Sequence, residues 1–318
     1  FYCLDNEPDL WASTHARIHA SAVRYDEMAQ RTEDWAKAIK NVAPSALVFG
    51  PVSYGWNGFT SLQDAPDRNG RDFLNFYLQQ LALMHQRNGK RLVDVLDLHW
   101  YPEAQGGGFR ITETGNAQTA DARVQALRSL WDPTYVETSW ITQWSTGMTA
   151  IRLIPRMMEK IQASYPGTRL AITEYNYGAT NDISGAVAQA DVLGIFGREG
   201  VFAANLWPLS GSAAFVDAAF DIYRDYDGQG AAFGNRSVTC TSTDHSKVSG
   251  YASFGDRTSN RFTMVLVNKS TSAQTVNLRY AGLTVGTVRR FELTSSLSKV
   301  VSKGPFDASS SISLPARS

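Results

Sequence analysis

The sequence predicts an α/β fold: the C-terminal five βα units of a TIM (β/α)8 barrel, followed by an antiparallel β-sandwich domain. Up to residue 228, short apolar runs alternate with amphipathic segments of helical length. Beyond that point the helical period disappears, and short alternating runs follow one another at a spacing of roughly 8–12 residues. We therefore predict a partial barrel domain over residues 1–228 and a β-sandwich domain over residues 229–318.

The first part of the chain alternates regularly between strands and helices. Apolar runs closed by turn residues or polar residues predict five strands, ending near residues 4, 51, 98, 172 and 208. Apolar residues spaced three and four apart predict helices over residues 23–42, 70–89, 119–130, 149–164 and 184–199. Alternation of this kind gives parallel strands with helical crossovers. Because a closed barrel has eight strands, we take the five as strands 4–8, with three βα units absent from the sequence.

The second part reads as antiparallel strands separated by turns. The predicted strands cover residues 237–241, 247–254, 262–268, 275–280, 285–293, 299–301 and 311–314.

Composition excludes several classes of function. Lys plus Arg equals Asp plus Glu, 30 against 30, so nothing favours a nucleic acid partner. The sequence has no apolar run long enough for a transmembrane helix, so we expect no membrane partner. The two cysteines, Cys3 and Cys240, do not have the spacing of a zinc site; we expect free thiols, with Cys3 buried in its strand.

Two strands end in a glutamate. Glu7 follows the first predicted strand, and Glu174 follows the strand over residues 170–172. The carboxyl ends of barrel strands carry the active site, so we expect both carboxylates at the barrel mouth. Two carboxyls about 5 Å apart across a sugar are the arrangement of a retaining glycosidase, in which one is the acid/base and the other the nucleophile. A lone glutamate of this kind is usually a surface or capping residue, but a pair favours catalysis.

Polar residues beside these strand ends are candidates for binding the substrate. Asn6 could bond a sugar hydroxyl or orient Glu7. His99 and Tyr101 follow another strand and could hydrogen-bond the nucleophile, although a core cluster of His and aromatic side chains is the alternative. Tyr175 has the same two interpretations.

Tryptophans supply candidate sugar-stacking surfaces. Trp140 and Trp144 are four residues apart in the long segment over residues 103–147 and would share a helical face. Trp207 ends the last strand and is expected to point at the mouth. A flat indole ring suits the apolar face of a pyranose; packing of the segment onto the barrel is the alternative for the pair.

Several segments together resemble glycoside hydrolase family 44. Asn6, Glu7 and Pro8 resemble the acid/base motif of the family's clan, and Thr173, Glu174 and Tyr175 resemble its nucleophile motif. More specific to the family are three segments, over residues 130–141, 223–228 and 233–235. The resemblance covers essentially the whole chain.

This resemblance implies Glu7 as acid/base, Glu174 as nucleophile, and endo-acting hydrolysis of β-1,4-glucans such as cellulose derivatives, xyloglucan or mixed-linkage glucan. Trp140, Trp144 and Trp207 would line sugar subsites. It further implies a secreted bacterial enzyme that requires no cofactor and holds no catalytic metal, with structural calcium as an option. The family's N-terminal portion is missing, so we expect an N-terminal fragment of the same enzyme as a partner that completes the barrel.

Two other functions stay open on the sequence alone. One is a related β-xylanase or β-mannanase activity within the same clan. The other is a carbohydrate-binding protein without catalysis.

Overall fold

The computed structural model describes residues 1–208, 211–255, 261–309 and 311–318. The α-helices of these residues are α1 (Trp11–Thr14), α2 (Tyr25–Val42), α3 (Trp56–Ser61), α4 (Phe73–Asn88), α5 (Ala117–Ala126), α6 (Leu153–Ser164), α7 (Ile183–Glu199) and α8 (Ala214–Arg224). Pro8–Leu10 and Leu127–Leu130 form short 3-10 turns, and Ile141–Ser145 forms a π-helical turn.

The strands of the same residues are β1 (Tyr2–Cys3), β2 (Val48–Ser53), β3 (Val95–Trp100), β4 (Gln105–Gly106), β5 (Phe109–Arg110), β6 (Arg169–Tyr175), β7 (Ala203–Leu206), β8 (Arg236–Val238), β9 (Val248–Phe254), β10 (Phe262–Asn268), β11 (Gln274–Val276), β12 (Thr287–Thr294), β13 (Leu297–Asp307) and β14 (Ile312–Leu314).

The chain forms two compact units. Unit 1 contains residues 1–101, 151–176 and 199–207, and unit 2 contains residues 102–150, 177–198 and 208–318. These compact units do not test the predicted division into a barrel domain over 1–228 and a β-sandwich domain over 229–318, which stays a prediction.

Unit 1 is built on one parallel sheet of five strands in the order β1-β2-β3-β6-β7. Every residue of β2 and β3 is buried, as expected of strands covered on both faces. Phe49, Val95 and Ala171 form an apolar cluster on one face. Asp72 caps the start of helix α4: its carboxylate accepts the backbone N–H of Asn75 at 2.9 Å. Gly89, in the left-handed region, caps the end of the helix.

Unit 2 contains the antiparallel sheets. Strands β8, β9 and β10 form one sheet in the order β10-β9-β8, and the pairs β12-β13 and β11-β14 form two more. Helix α7 packs on β9: the Tyr251 hydroxyl donates to Asp191 Oδ1 at 2.6 Å, and the buried Lys269 lies 3.2 Å from Asp191 Oδ2. The predicted fold class, five barrel strands followed by antiparallel sheets, is confirmed.

The structure differs from the sequence prediction at Cys3 and at α8. Cys3 is a free thiol as expected, but it is exposed rather than buried, because β1 is an edge strand of the sheet. Helix α8 was not predicted: its apolar residues do follow the helical period, but the residue before it, Ala213, has no polar side chain that would mark the start by capping it. None of the helices in the described part of the chain combines the length and the hydrophobicity that a membrane span requires.

Candidate active site

The site begins with Glu7, which lies in a sharp turn after β1. Its backbone is in the left-handed region, with φ 44° and ψ 57°, and its N–H donates to the Val52 carbonyl at 2.9 Å. A glutamate rarely adopts this conformation, and such strain is concentrated at functional sites. The strain is held in place by the turn that follows, over Pro8–Leu10.

Asp9 fastens this turn to the end of β2. It is buried, and its carboxylate accepts the Ser53 hydroxyl at 2.7 Å and the Tyr54 N–H at 3.0 Å. Burial raises the pKa of Asp9 to about 6, although these hydrogen bonds oppose the rise. Asp9 therefore fixes where Glu7 lies relative to the sheet.

Glu174 lies near the carboxyl end of β6, where the strand register pairs it with His99 of β3. Its Oε2 accepts a hydrogen bond from the Tyr101 hydroxyl at 2.8 Å. Burial and the negative charge of Glu174 raise the pKa of Tyr101 well above its usual range. The phenol therefore stays protonated and donates its hydrogen bond to Glu174.

His99 connects the two glutamates. Its ring is 1% exposed, and its Nδ1 lies 2.9 Å from Glu7 Oε1 and 3.4 Å from Glu174 Oε2. One carboxylate oxygen of each glutamate and one ring nitrogen of His99 all lie within 4.8 Å of one another. The two carboxylates therefore approach more closely than the roughly 6.5–9.5 Å of inverting glycosidases, as retaining ones do.

The structure thus brings Glu7, His99, Tyr101 and Glu174 together, as the sequence predicted for the two strand ends. Asn6 is exposed beside Glu7. The side chain of Tyr175 is 1% exposed, and its contact with a substrate stays a prediction.

The tryptophans occupy several environments. Trp207 directly follows β7 and is 54% exposed. Its backbone N–H donates to the Tyr175 carbonyl at 3.0 Å. In unit 2, Trp140 is half-buried at the start of the π-helical turn, and Trp144 is 76% exposed. Their roles as sugar platforms stay predictions.

Sequence reasoning assigned no site role to Asp9 or Asp97. Asp97 is fully buried two residues before His99, and its Oδ1 accepts the Thr173 hydroxyl at 2.7 Å. Burial raises the pKa of Asp97 to about 6, against the opposing effect of the Thr173 bond. Side chains two residues apart in a strand point to the same face, so Asp97 shares a face with His99. This spacing was the sequence signal that could have placed Asp97 near the site.

Among the described residues, the group that could hold a metal ion through three ligands is Glu7, His99 and Glu174. The same three side chains form the paired-carboxylate site, so this group needs no metal to explain it. The prediction that no metal takes part is untested.

The family model for glycoside hydrolase family 44 matches residues 1–104. Endoglucanase A of Paenibacillus lautus is 48% identical over 276 residues, which are 85% of this chain and 39% of that protein. Beta-mannanase/endoglucanase A of Caldicellulosiruptor saccharolyticus is 46% identical over 288 residues, 85% of this chain and 21% of that protein.

A family 44 xyloglucanase from Paenibacillus polymyxa, solved with xyloglucan, superimposes with a TM-score of 0.93 at 41% identity. The match covers 99% of this chain and 64% of that one. The chain thus spans less than half of the two curated relatives and just under two thirds of the solved neighbour. Similarity at this level, over almost all of the chain, goes with the two strand-end glutamates that the family motifs predicted. The chain belongs to glycoside hydrolase family 44.

Proposed function

We propose that the protein hydrolyses internal β-1,4-glucosidic bonds by double displacement with retention of configuration. The observation that carries the proposal is the pair of carboxylates, Glu7 and Glu174: one carboxylate oxygen of each lies within 4.8 Å of the other and of a ring nitrogen of His99. This spacing leaves room for a sugar carbon between the two groups but not for a water on its far side.

In the first step Glu174 attacks the anomeric carbon and forms an ester to it. The glycosidic bond breaks, and the proton of Glu7 goes to the leaving oxygen. In the second step Glu7, now ionised, removes a proton from water. The hydroxide oxygen bonds to the anomeric carbon, and Glu174 leaves as the carboxylate.

The contacts support this division of roles. The nucleophile must be ionised, and Glu174 receives the Tyr101 hydroxyl as a donor. Glu7 accepts from or donates to His99, whose tautomer can change as Glu7 gains and loses its proton. Asn6 and Trp207 would bind sugar units of the substrate, and Trp140 and Trp144 stay predicted sugar-stacking residues.

Relatives favour glucans as the substrate class. The curated relatives carry the name endoglucanase, and the P. polymyxa neighbour is a xyloglucanase. One relative is also named a β-mannanase, and another neighbour is a bifunctional glucanase-xylanase at 36% identity. Reducing-sugar release from carboxymethyl cellulose, xyloglucan and mixed-linkage glucan should exceed release from xylan and mannan; the reverse order would favour the second activity.

We also propose that a preceding segment of the same enzyme completes the barrel. Strands β1 and β7 form the two edges of the five-stranded sheet, while a closed barrel has eight strands. The chain produced alone should be inactive and should regain turnover when co-expressed with that segment. Equal turnover in both preparations would refute this partner.

The chemistry requires no cofactor, because the two carboxylates supply both the nucleophile and the proton. Turnover should therefore survive dialysis against EDTA; a structural calcium ion would show as a lowered Tm with unchanged kcat. A polymeric substrate also favours a secreted enzyme. Detection of the protein in culture medium rather than in cell lysate would test this location.

The decisive variants are Glu7→Gln and Glu174→Gln, each an isosteric loss of one ionisable group. Each should lower kcat by about 10³-fold or more, because the carboxylates act as a unit. Glu159→Gln is a matched control, since Glu159 is 61% exposed and pairs only with Arg152 in the contacts described. Unchanged turnover in both active-site variants would refute the proposal; retained binding of glucan without any turnover in the unmodified protein would favour a carbohydrate-binding role.

A further inference from the structure

Between matching positions of the hydrogen-bonded ladders, β6 has one residue more than β3 on one side and β7 on the other. On β3, Leu98 pairs with Ile172 and the next residue, His99, pairs with Glu174, so Thr173 has no partner there. On β7, two steps separate Ala204 from Leu206, while three steps separate their partners, Ile172 and Tyr175. Both ladders therefore locate a β-bulge at Thr173 and Glu174.

The bulge decides which way Glu174 points. In a regular strand, residues two apart share a face, so Glu174 would lie on the same face as Ile172. Ile172 pairs with Leu98 of β3, and both side chains are buried in the apolar core. The extra residue turns Glu174 to the opposite face, where His99 lies.

Asp97 holds the extra residue. Its Oδ1 accepts the Thr173 hydroxyl at 2.7 Å. This bond fixes the side chain of the residue that the bulge adds to the strand. Since Asp97 is fully buried, it has little freedom to move.

We infer that Asp97 and Thr173 are positioning residues that hold the β6 bulge and thereby aim Glu174 at Tyr101 and His99. The inference rests on the proposed function of Glu174 as the nucleophile. Neither residue touches the reacting atoms. Their effect is on the orientation of the carboxylate, and a displacement of about 1 Å at a reacting group can cost roughly 100-fold in rate.

The test compares Thr173→Val with Thr173→Ser. Valine has nearly the shape of threonine but lacks the hydroxyl, whereas serine keeps it. We expect Thr173→Val to lower kcat by roughly 10- to 100-fold with KM changed by less than about three-fold, because binding does not depend on the aim of Glu174. Thr173→Ser should stay within about three-fold of the unmodified protein.

Asp97→Ala and the double variant Asp97→Ala/Thr173→Val complete a double-mutant cycle with Thr173→Val. If the two residues act together, the double variant should lose no more kcat than the worse single variant. Asp94→Asn is the control for general loss of stability: Asp94 bonds Lys40 and the Val48 N–H at the other end of β3, so its loss should lower Tm and leave kcat unchanged. These measurements use the enzyme together with the segment that completes its barrel.

Equal kcat in Thr173→Val and Thr173→Ser would overturn the inference, as would additive losses in the cycle. If Thr173→Val does not fold, Asp97→Ala against Asp94→Asn makes the same comparison. An unmodified protein that cleaves no β-glycan would instead refute the proposed function. A crystal structure of Thr173→Val, with Glu174 still bonded to Tyr101 or turned away from it, would then still decide the role of the bulge.

Discussion

Glu7 and Glu174 each depend on a buried aspartate nearby in space. Asp9 ties the strained turn of Glu7 to β2, and Asp97 ties the residue before Glu174 to β3. Burial raises the pKa of both aspartates to about 6. Each aspartate places a carboxylate in the interior, where it accepts hydrogen bonds next to a glutamate of the proposed mechanism, and this costs stability near neutral pH.

The cost can be measured at Asp9. An unfolded aspartate has a pKa of about 3.9, so between pH 4 and 6 the folded protein binds more protons than the unfolded one. The contribution of Asp9 to stability is therefore fully present below pH 4 and is lost as the pH rises through 6. Relative to Asp9→Asn, the unmodified protein should lose about 2–3 kcal/mol of unfolding free energy between pH 4 and pH 7.

Urea unfolding of the two proteins at several pH values measures this difference. Asp97 titrates over the same range in both, so its contribution cancels in the comparison. Parallel pH profiles for the two proteins would show that Asp9 does not titrate with a raised pKa.

At the level of elements, close packing in unit 2 depends on a glycine of α7. A Cβ on Gly194 would lie 2.3 Å from the ring of Tyr251 on β9, whereas a Cβ on Gly197 of the same helix would meet nothing within 4 Å. The Tyr251 ring cannot withdraw easily, because its hydroxyl bonds Asp191 and both side chains are buried.

These two glycines form a matched pair. Gly194→Ala should destabilise the protein by about 1–3 kcal/mol through overpacking. Gly197→Ala is exposed and should stabilise it by about 0.5–1 kcal/mol, as alanine does in a helix. Thermal unfolding of both variants gives the comparison; equal shifts of Tm would mean that α7 does not pack against Tyr251 as described.

The sequence predicted the elements better than their register. Apolar runs closed by turn residues indicated all five barrel strands, because burial on both faces produces such runs. The bulge in β6 was not predictable, since one extra residue is visible only against the neighbouring strands. The strained backbone of Glu7 was also hidden, because turn chemistry favours glycine or asparagine there and the residue is a glutamate.

Part of the candidate site could be predicted because its residues lie at strand ends that the sequence reveals. Glu7 and Glu174 were found in this way, and so were His99 and Tyr101 at the end of β3. For Tyr175 the sequence left two interpretations open, substrate contact and core packing; its side chain is 1% exposed. Asp97 contacts Thr173 across 76 residues, a pairing that only the fold creates.

For the whole molecule, the chain provides both carboxylates of the proposed mechanism and a parallel sheet of five strands, while a closed barrel has eight. Its 30 acidic and 30 basic residues give no net charge, which suits a neutral polysaccharide better than a charged partner. The same 318 residues are 64% of the length of a solved family member. The proposed reaction therefore depends on two side chains of this chain and, as proposed above, on a further segment that completes the barrel.

The most direct test is to trap the glycosyl-enzyme. A 2-deoxy-2-fluoro cellobioside with a good leaving group should inactivate the completed enzyme with a mass increase of one 2-deoxy-2-fluorocellobiosyl group. The fluorine slows both steps, and the good leaving group keeps the first step fast enough for the glycosyl-enzyme to accumulate. Peptide mapping should locate the adduct on Glu174, and Glu174→Gln should form none. An adduct on Glu7, or hydrolysis with inverted configuration and no adduct at all, would contradict a retaining mechanism with Glu174 as its nucleophile.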